Sequence, residues 1–372
     1  MRPLICMLTI AAGVVAVPSA VGQTFEVRRA SVLATDMRVD ALTPPRVLTA
    51  AEVQLPVASS GAGAVRLHLR IDRAEAGAPW VVTVADSQGT VVQRIDERSR
   101  FISASGFWTD DVQGGSARVS IAADAAKTQI AVDRVAIAVT PSVPQAIVGQ
   151  NELTAITDAS VPPRVKQWAS AIAKLRFIIG DEEALCTGFL VGADLLMTNQ
   201  HCLTSDEEAQ SAVVEFGYDS DAATPARLRV VKVEATDFSL DYALLRLSAA
   251  PPSQFARLHF GAAPGTSALL AIVQHPGGQP KQVSFVPNCA AGTLAVAGRQ
   301  QPDTDFGHVC DTLGGSSGSP VLDWNTGRVV GLHHLGFRPG IDKAENQGVH
   351  VALILADTRN KVSDAIYQEI IR

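Results

Sequence analysis

The stretch Gly314-Gly315-Ser316-Ser317-Gly318-Ser319-Pro320 restricts the architecture of this chain more than any other. Glycines flank the serines, and Pro320 leads into a strand-like apolar run, so the segment reads as a tight turn that presents a hydroxyl. Two further segments lie upstream, Thr198-Asn199-Gln200-His201-Cys202 and Asp241-Tyr242-Ala243-Leu244-Leu245. The chain order is therefore histidine, aspartate, serine, one of the few orders in which this trio recurs on unrelated folds.

These residue types form a chemical unit. A serine hydroxyl is a weak nucleophile at neutral pH and needs a base within hydrogen-bond reach. His201 titrates in the range that suits that task. A buried Asp241 would fix the imidazole tautomer and stabilise the imidazolium. The N–H groups of Gly315 and Ser317, left accessible by the surrounding glycines, are candidate donors to a developing oxyanion, and one such donor typically contributes about 3 kcal/mol. Ser316 and Ser319 compete with Ser317 for the nucleophile's place, but only Ser317 has glycine at both minus two and plus one.

At these residues the chain resembles the chymotrypsin/trypsin-like serine peptidase family, and within it a bacterial branch that includes glutamyl and lysyl endopeptidases. Five segments carry the likeness: Cys186-Thr187-Gly188-Phe189-Leu190-Val191, Leu196 to Cys202, Asp241 to Leu245, Gly315 to Val321, and Val329-Val330-Gly331-Leu332-His333-His334. It covers about residues 165–365. The resemblance implies a double β-barrel with Ser317 as nucleophile, His201 as general base, Asp241 as orienting acid and a peptide in the cleft between barrels. It also implies the disulfides Cys186–Cys202 and Cys289–Cys310. Ser316 stands where many animal members carry an aspartate that pairs with a new N-terminus, so that route of activation is not expected. By family position Thr312 and His333 would bind an acidic substrate side chain, whereas Asp311 occupies the place of an aspartate that binds Lys or Arg. The two readings exclude each other, and the acidic one is preferred.

The 372 residues suit two domains. Residues 1–22 read as a secretory signal, with Arg2, an apolar run from Leu4 to Val17 and small residues at Ala20-Val21-Gly22. The run is too short to span a membrane. Cys6 would leave with the signal, and the other four cysteines can pair in three ways. A zinc site on these cysteines with His201 or His308 is the competing reading, and no Cys-x-x-Cys or His-x-x-x-His spacing supports it. No metal and no cofactor is expected. A net charge of −6 without a basic stripe gives no footprint for nucleic acid.

Residues 23–140 show period-two alternation in Val65 to Ile71, Trp80 to Val84, Val119 to Ala122 and Val132 to Ile137, with turn residues between. The prediction is a β-sandwich serving as an accessory or pro-domain. Trp80, Phe101, Phe107 and Trp108 are read as its core, the alternative being a binding face. Residues 141–164 read as a proline-bracketed linker with few contacts across it. Residues 165–372 read as the peptidase domain, with a strand over Val349 to Leu355 and one closing helix from Asp357 to Arg372 that presents Val362, Ile366 and Ile370. The fold class is thus all-β, with a C-terminal helix.

The function expected from this sequence is that of a secreted or periplasmic serine endopeptidase, monomeric, acting on protein or peptide. Two alternatives are an esterase using the same triad and a catalytically silent binding protein. The first fits poorly with Gly-x-Ser-Gly-x-Pro, because esterase elbows read Gly-x-Ser-x-Gly between strand and helix.

Overall fold

Alternation in the N-terminal part becomes two facing sheets. The computed structural model describes residues 37–56, 64–103, 106–113, 116–138, 145–180, 182–337 and 344–372, so the expected signal at 1–22 lies outside the described residues. The strands Met37–Val47, Thr128–Ala138 and Ala64–Ala74 form one layer, with Phe107–Trp108 at its edge. The second layer runs Val53–Pro56, Ser116–Ala123, Trp80–Ala85, Val91–Asp96. Leu67, Leu69, Val82, Val84, Val119 and Ile130 point inward from both layers. Trp80 and Phe107 stack in this core at 6.1 Å, and Phe101 packs against it. Trp108 faces the other way, toward Val39, Ala136 and Ile178.

The C-terminal part begins with a closed six-stranded barrel. Its circuit is Ile172–Ile179, Val213–Phe216, Ala226–Asp237, Tyr242–Leu247, Leu195–Thr198 and Glu182–Leu190, which pairs back onto Ile172–Ile179. The second barrel contains Gln282–Ser284, Leu270–Gln274, Pro320–Asp323, Val329–Leu335, Asn346–His350 and Asp305–His308 in that order. Single bridges Leu269↔Ala290 and Ala291↔His308 complete its circuit.

Two features differ from the sequence expectation. Residues 145–169 are not a bare linker: Gln145–Ala146 pairs with Thr312–Leu313, Thr154–Ala155 pairs with Gln282–Ser284, and Pro163–Ala169 is a helix. The strand ending the chain stops at His350, and two helices follow, Val351–Lys361 and Asp364–Ile371. A short apolar run does not by itself distinguish strand from helix; Val351, Ile354 and Thr358 are buried at helical spacing. Ser363 breaks the pair, its hydroxyl accepting from the N–H of Ile366 as an N-cap.

The sandwich is joined to the first barrel by buried charge. Arg66 bonds to Glu183 at 3.1 Å, to the carbonyl of Thr109 and, at 2.7 Å, to that of Ser211. Arg176 meets Asp111 at 2.6 Å, and Arg229 meets Asp110 at 3.1 Å. One strand pairing, Arg38↔Glu182, makes the two sheets continuous.

Candidate active site

Register places the first two site residues. Leu195–Thr198 pairs antiparallel with Tyr242–Leu247, Thr198 opposite Ala243. His201 follows the end of one strand and Asp241 precedes the start of the other, so both emerge at the same rim. Asp241 sits in the left-handed region at φ 46°, where its carbonyl accepts from the Asn199 amide at 2.8 Å. Its carboxylate turns back onto His201, accepting from the backbone N–H at 2.9 Å and meeting Nδ1 at 2.7 Å.

Both side chains are fully buried. Burial works against the charge of Asp241, but attraction and hydrogen bonding from His201 and His334 outweigh it and hold its carboxyl far below the ordinary range. Burial is the main influence on His201 and pushes its pKa below the usual value; Asp241 pulls the other way, while Arg299 and His334 add repulsion. The imidazole is thus neutral near pH 7, with Nδ1–H directed at Asp241.

The serine turn is pressed against the same rim. The carbonyl of Ser317 accepts from the N–H of Thr187 at 2.8 Å, one residue beyond the Cys186–Cys202 disulfide that ties this strand to the one bearing His201. Gly318 has φ +87°, and a Cβ there would collide with the Thr187 carbonyl and the Thr198 hydroxyl. Ser316 and Ser319 spend their hydroxyls locally, the first accepting from Leu313 N–H at 3.1 Å and the second donating to the Ser316 carbonyl at 2.6 Å.

The peptides on either side of Gly315 are both latched from behind. Gly277 donates to the Gly314 carbonyl at 2.6 Å, and Thr187 Oγ1 donates to the Gly315 carbonyl at 2.9 Å. In a planar trans peptide the N–H points opposite to the carbonyl. The Gly315 N–H therefore faces away from Gly277. The turn His275-Pro276-Gly277-Gly278 that supplies this latch was not singled out from the sequence, although its Pro-Gly-Gly was a visible signal.

Residues 186–332 match the trypsin-like peptidase domain. That is the family this region resembles. Similarity to curated proteins is partial. A secreted RxLR effector protein of Plasmopara viticola is 30% identical over 186 residues, covering 46% of this chain and 46% of the relative. An uncharacterized protein of Sinorhizobium fredii is 29% identical over 233 residues, covering 50% of this chain and 34% of its own length. The chain thus spans less than half the length of either. Among solved structures, a Glu endopeptidase is 21% identical with a TM-score of 0.42, over 57% of this chain and 97% of that one. A protease of M. tuberculosis in its active form is 27% identical with a TM-score of 0.40, over 54% and 84% respectively.

The peptidase domain contains both disulfides, Cys186–Cys202 and Cys289–Cys310. Cys186, His201 and Cys202 lie close enough together to suggest a metal, yet the two sulfurs are bonded to each other and cannot act as thiolates. The carboxylate of Asp311 is already engaged: its two oxygens accept from the N–H groups of Val148 and Glu152, both at 2.8 Å. The carboxylate is spent on the segment that pairs with Thr312–Leu313. Thr312 is buried in that short strand, and His333 is buried in Val329–Leu335, where its Nδ1 lies 3.2 Å from His308 Nε2. Burial, then repulsion from the charge on His334, drives His308 down to about 3, and His333 is likewise driven well below its ordinary value by burial.

Arg299 and His334 also reach Asp241, at 3.1 and 3.0 Å, and neither was among the expected site residues. Arg299 comes from an irregular segment with no motif. His334 had one signal, its place beside His333 in a strand where neighbours face opposite sides. Among the described residues no helix is long and apolar enough to cross a membrane.

Proposed function

We propose that this protein is an exported serine endopeptidase. Ser317 Oγ attacks the substrate carbonyl while His201 Nε2 takes its proton, and the N–H groups of Gly315 and Ser317 bear the oxyanion. Collapse of the tetrahedral species passes that proton to the departing amine and leaves an acyl-enzyme, which water then cleaves by the same route. The observation that carries this reading is the 2.7 Å bond between His201 Nδ1 and a buried Asp241, which fixes the tautomer needed for Nε2 to accept.

Support for export comes from the signal-like residues 1–22, from two disulfides, which persist in oxidising compartments, and from the secreted relative in Plasmopara viticola. Residues 23–140 act as a fixed partner of the peptidase domain, an assignment supported by the buried arginines that join them. An acidic side chain before the cleaved bond is the preferred substrate feature, with Thr312 and His333 as its binders; the engagement of Asp311 by backbone N–H groups removes the support for a basic one.

A fluorophosphonate probe tests the reading. The purified protein should be labelled once, at Ser317, and Ser317→Ala should abolish both labelling and peptide hydrolysis while folding is kept. Labelling that survives in Ser317→Ala and vanishes in Ser316→Ala or Ser319→Ala would move the nucleophile, and an unlabelled wild-type protein would favour a silent binding protein.

A further inference from the structure

The carboxylate of Asp241 serves two histidines. One is His201. The other, His334, meets Oδ2 of Asp241 through Nδ1 at 3.0 Å, while its Nε2 lies 2.6 Å from Oδ2 of Asp305. All three side chains are fully buried. The alignment arises from the strand itself. Val329–Leu335 has a register shift between His333 and Leu335 against its neighbour Asn346–His350, and such a bulge re-aims a side chain. Asp305 opens the adjacent strand Asp305–His308, where its other oxygen accepts from the Thr304 hydroxyl at 3.0 Å.

Neutral imidazole has one N–H and one bare nitrogen, so it cannot donate to two acceptors at once. A carboxylate facing each ring nitrogen at hydrogen-bond distance leaves a single satisfactory protonation state, with both nitrogens carrying hydrogen. A neutral ring would place a lone pair against a buried carboxylate oxygen, an uncompensated repulsion where all three side chains are shielded from solvent. The charge count agrees: Asp241 and Asp305 contribute two negative charges, and Arg299 and an imidazolium at His334 contribute two positive ones. The other groups facing this cluster, His308 and His333, are held neutral by burial.

We propose that His334 is a positioning residue, a standing imidazolium clamped between Asp305 and Asp241 that holds the Asp241 carboxylate on His201 and keeps it ionised. This inference rests on the reading of His201, Asp241 and Ser317 as the reacting set. His334 touches no substrate atom; it acts through Asp241. Burial alone would strip its proton, but Asp305 and then Asp241 outweigh burial and raise its pKa to about 9. The device has a consequence for rate. Above that pH the ring loses a proton and one of the two carboxylates loses its donor, which weakens the hold on Asp241 that the His201 N–H and Arg299 otherwise share.

Two measurements test this. In Ser317→Ala protein labelled with ¹⁵N-histidine, the ring nitrogens of His334 should both carry protons at pH 7.5 and titrate near pH 9. The resonance is assigned as the one lost in His334→Asn, or, where that variant does not fold, as the one perturbed most in Asp305→Asn. A neutral His334 at pH 7.5 overturns the proposal. In the active protein, kcat/KM on a peptide substrate should fall on the alkaline side with an apparent pKa near 9. Asp305→Asn should shift that limb below pH 8 and lower kcat about 10- to 100-fold, with KM changed less than twofold. An alkaline limb identical in wild type and Asp305→Asn overturns it as well. Failure of the peptidase reading looks different, because a protein that no fluorophosphonate labels would still report the protonation state of His334.

Discussion

Arg66 of the sandwich and Glu183 of the first barrel meet at 3.1 Å with neither side chain exposed to solvent. Arg66 also donates to the carbonyls of Thr109 and Ser211, so a single guanidinium holds both parts of the chain. Removing one member of a buried pair leaves the other charge uncompensated and typically costs about 3–5 kcal/mol. Glu183→Ala should therefore lower the urea midpoint sharply, whereas Arg66→Met with Glu183→Leu should recover most of the loss. A protein truncated to begin at Val161 should be insoluble or inactive, since it exposes Ile178 and strands the charges of Arg176 and Arg229. A soluble, active truncation would show that the sandwich is dispensable.

The latch on the Gly315–Ser316 peptide, next to the one carrying the Gly315 N–H, is open to a near-isosteric test. Thr187 Oγ1 accepts from the N–H of His275 at 3.0 Å and donates to the carbonyl of Gly315. Thr187→Val leaves both partners unpaired while conserving volume, a loss of about 1–3 kcal/mol in stability. If this contact also orients the Gly315 N–H toward the oxyanion, kcat should fall roughly tenfold to a hundredfold with KM nearly unchanged. Stability loss with kcat intact would remove Gly315 from the oxyanion site.

Stability should peak near pH 6.5. The folded pKa of His308 lies near 3 and that of His333 is also depressed, so both remain neutral in the native state. Their contribution is complete above the unfolded value of about 6.5 and is lost as pH falls toward the folded one. His334 has the opposite sign: its raised pKa of about 9 gives a contribution complete below about 6.5 and lost as pH rises through 9. Thermal unfolding followed from pH 4 to 10 should show a maximum between the two limbs. Tm rising from pH 7 to 9 would contradict the charged state of His334.

Which parts of this could be read from sequence follows from how local their causes are. The serine turn, the residues flanking His201 and Asp241, and the sandwich strands are set by glycine, proline and alternation within a few positions, and all are legible. Val65-Arg66-Leu67-His68-Leu69 shows the limit. Its alternation gives the strand, but Arg66 and His68 read as its wet face and are buried. Arg66 is covered by Glu183 and the Ser211 carbonyl of the first barrel, far away in sequence, and His68 by Asp133 and Trp108 of the sandwich itself. Arg299 and Asp305 were missed for the same reason: Arg299 and His334 join Asp241, and Asp305 joins His334, only after the two barrels come together. The run from Val349 to Leu355 failed differently, because its burial at every third or fourth residue becomes visible only once the helix is placed.

Specificity gives the most exposed prediction. Asp311 is held by two backbone N–H groups, and the site then lacks a free carboxylate to bind Lys or Arg at that position. His333 and Thr312 have the donors that suit a carboxylate. A digest of one denatured protein should therefore give cuts after Glu and Asp. His333→Ala should weaken those cuts selectively by about a hundredfold, the rate equivalent of losing one partner of a desolvated carboxylate. Asp311→Asn should instead loosen residues 148–152, lowering stability and leaving the preference in place. Cuts after Lys or Arg that disappear in Asp311→Asn would reverse the assignment, and cuts after apolar residues would discard both pocket readings.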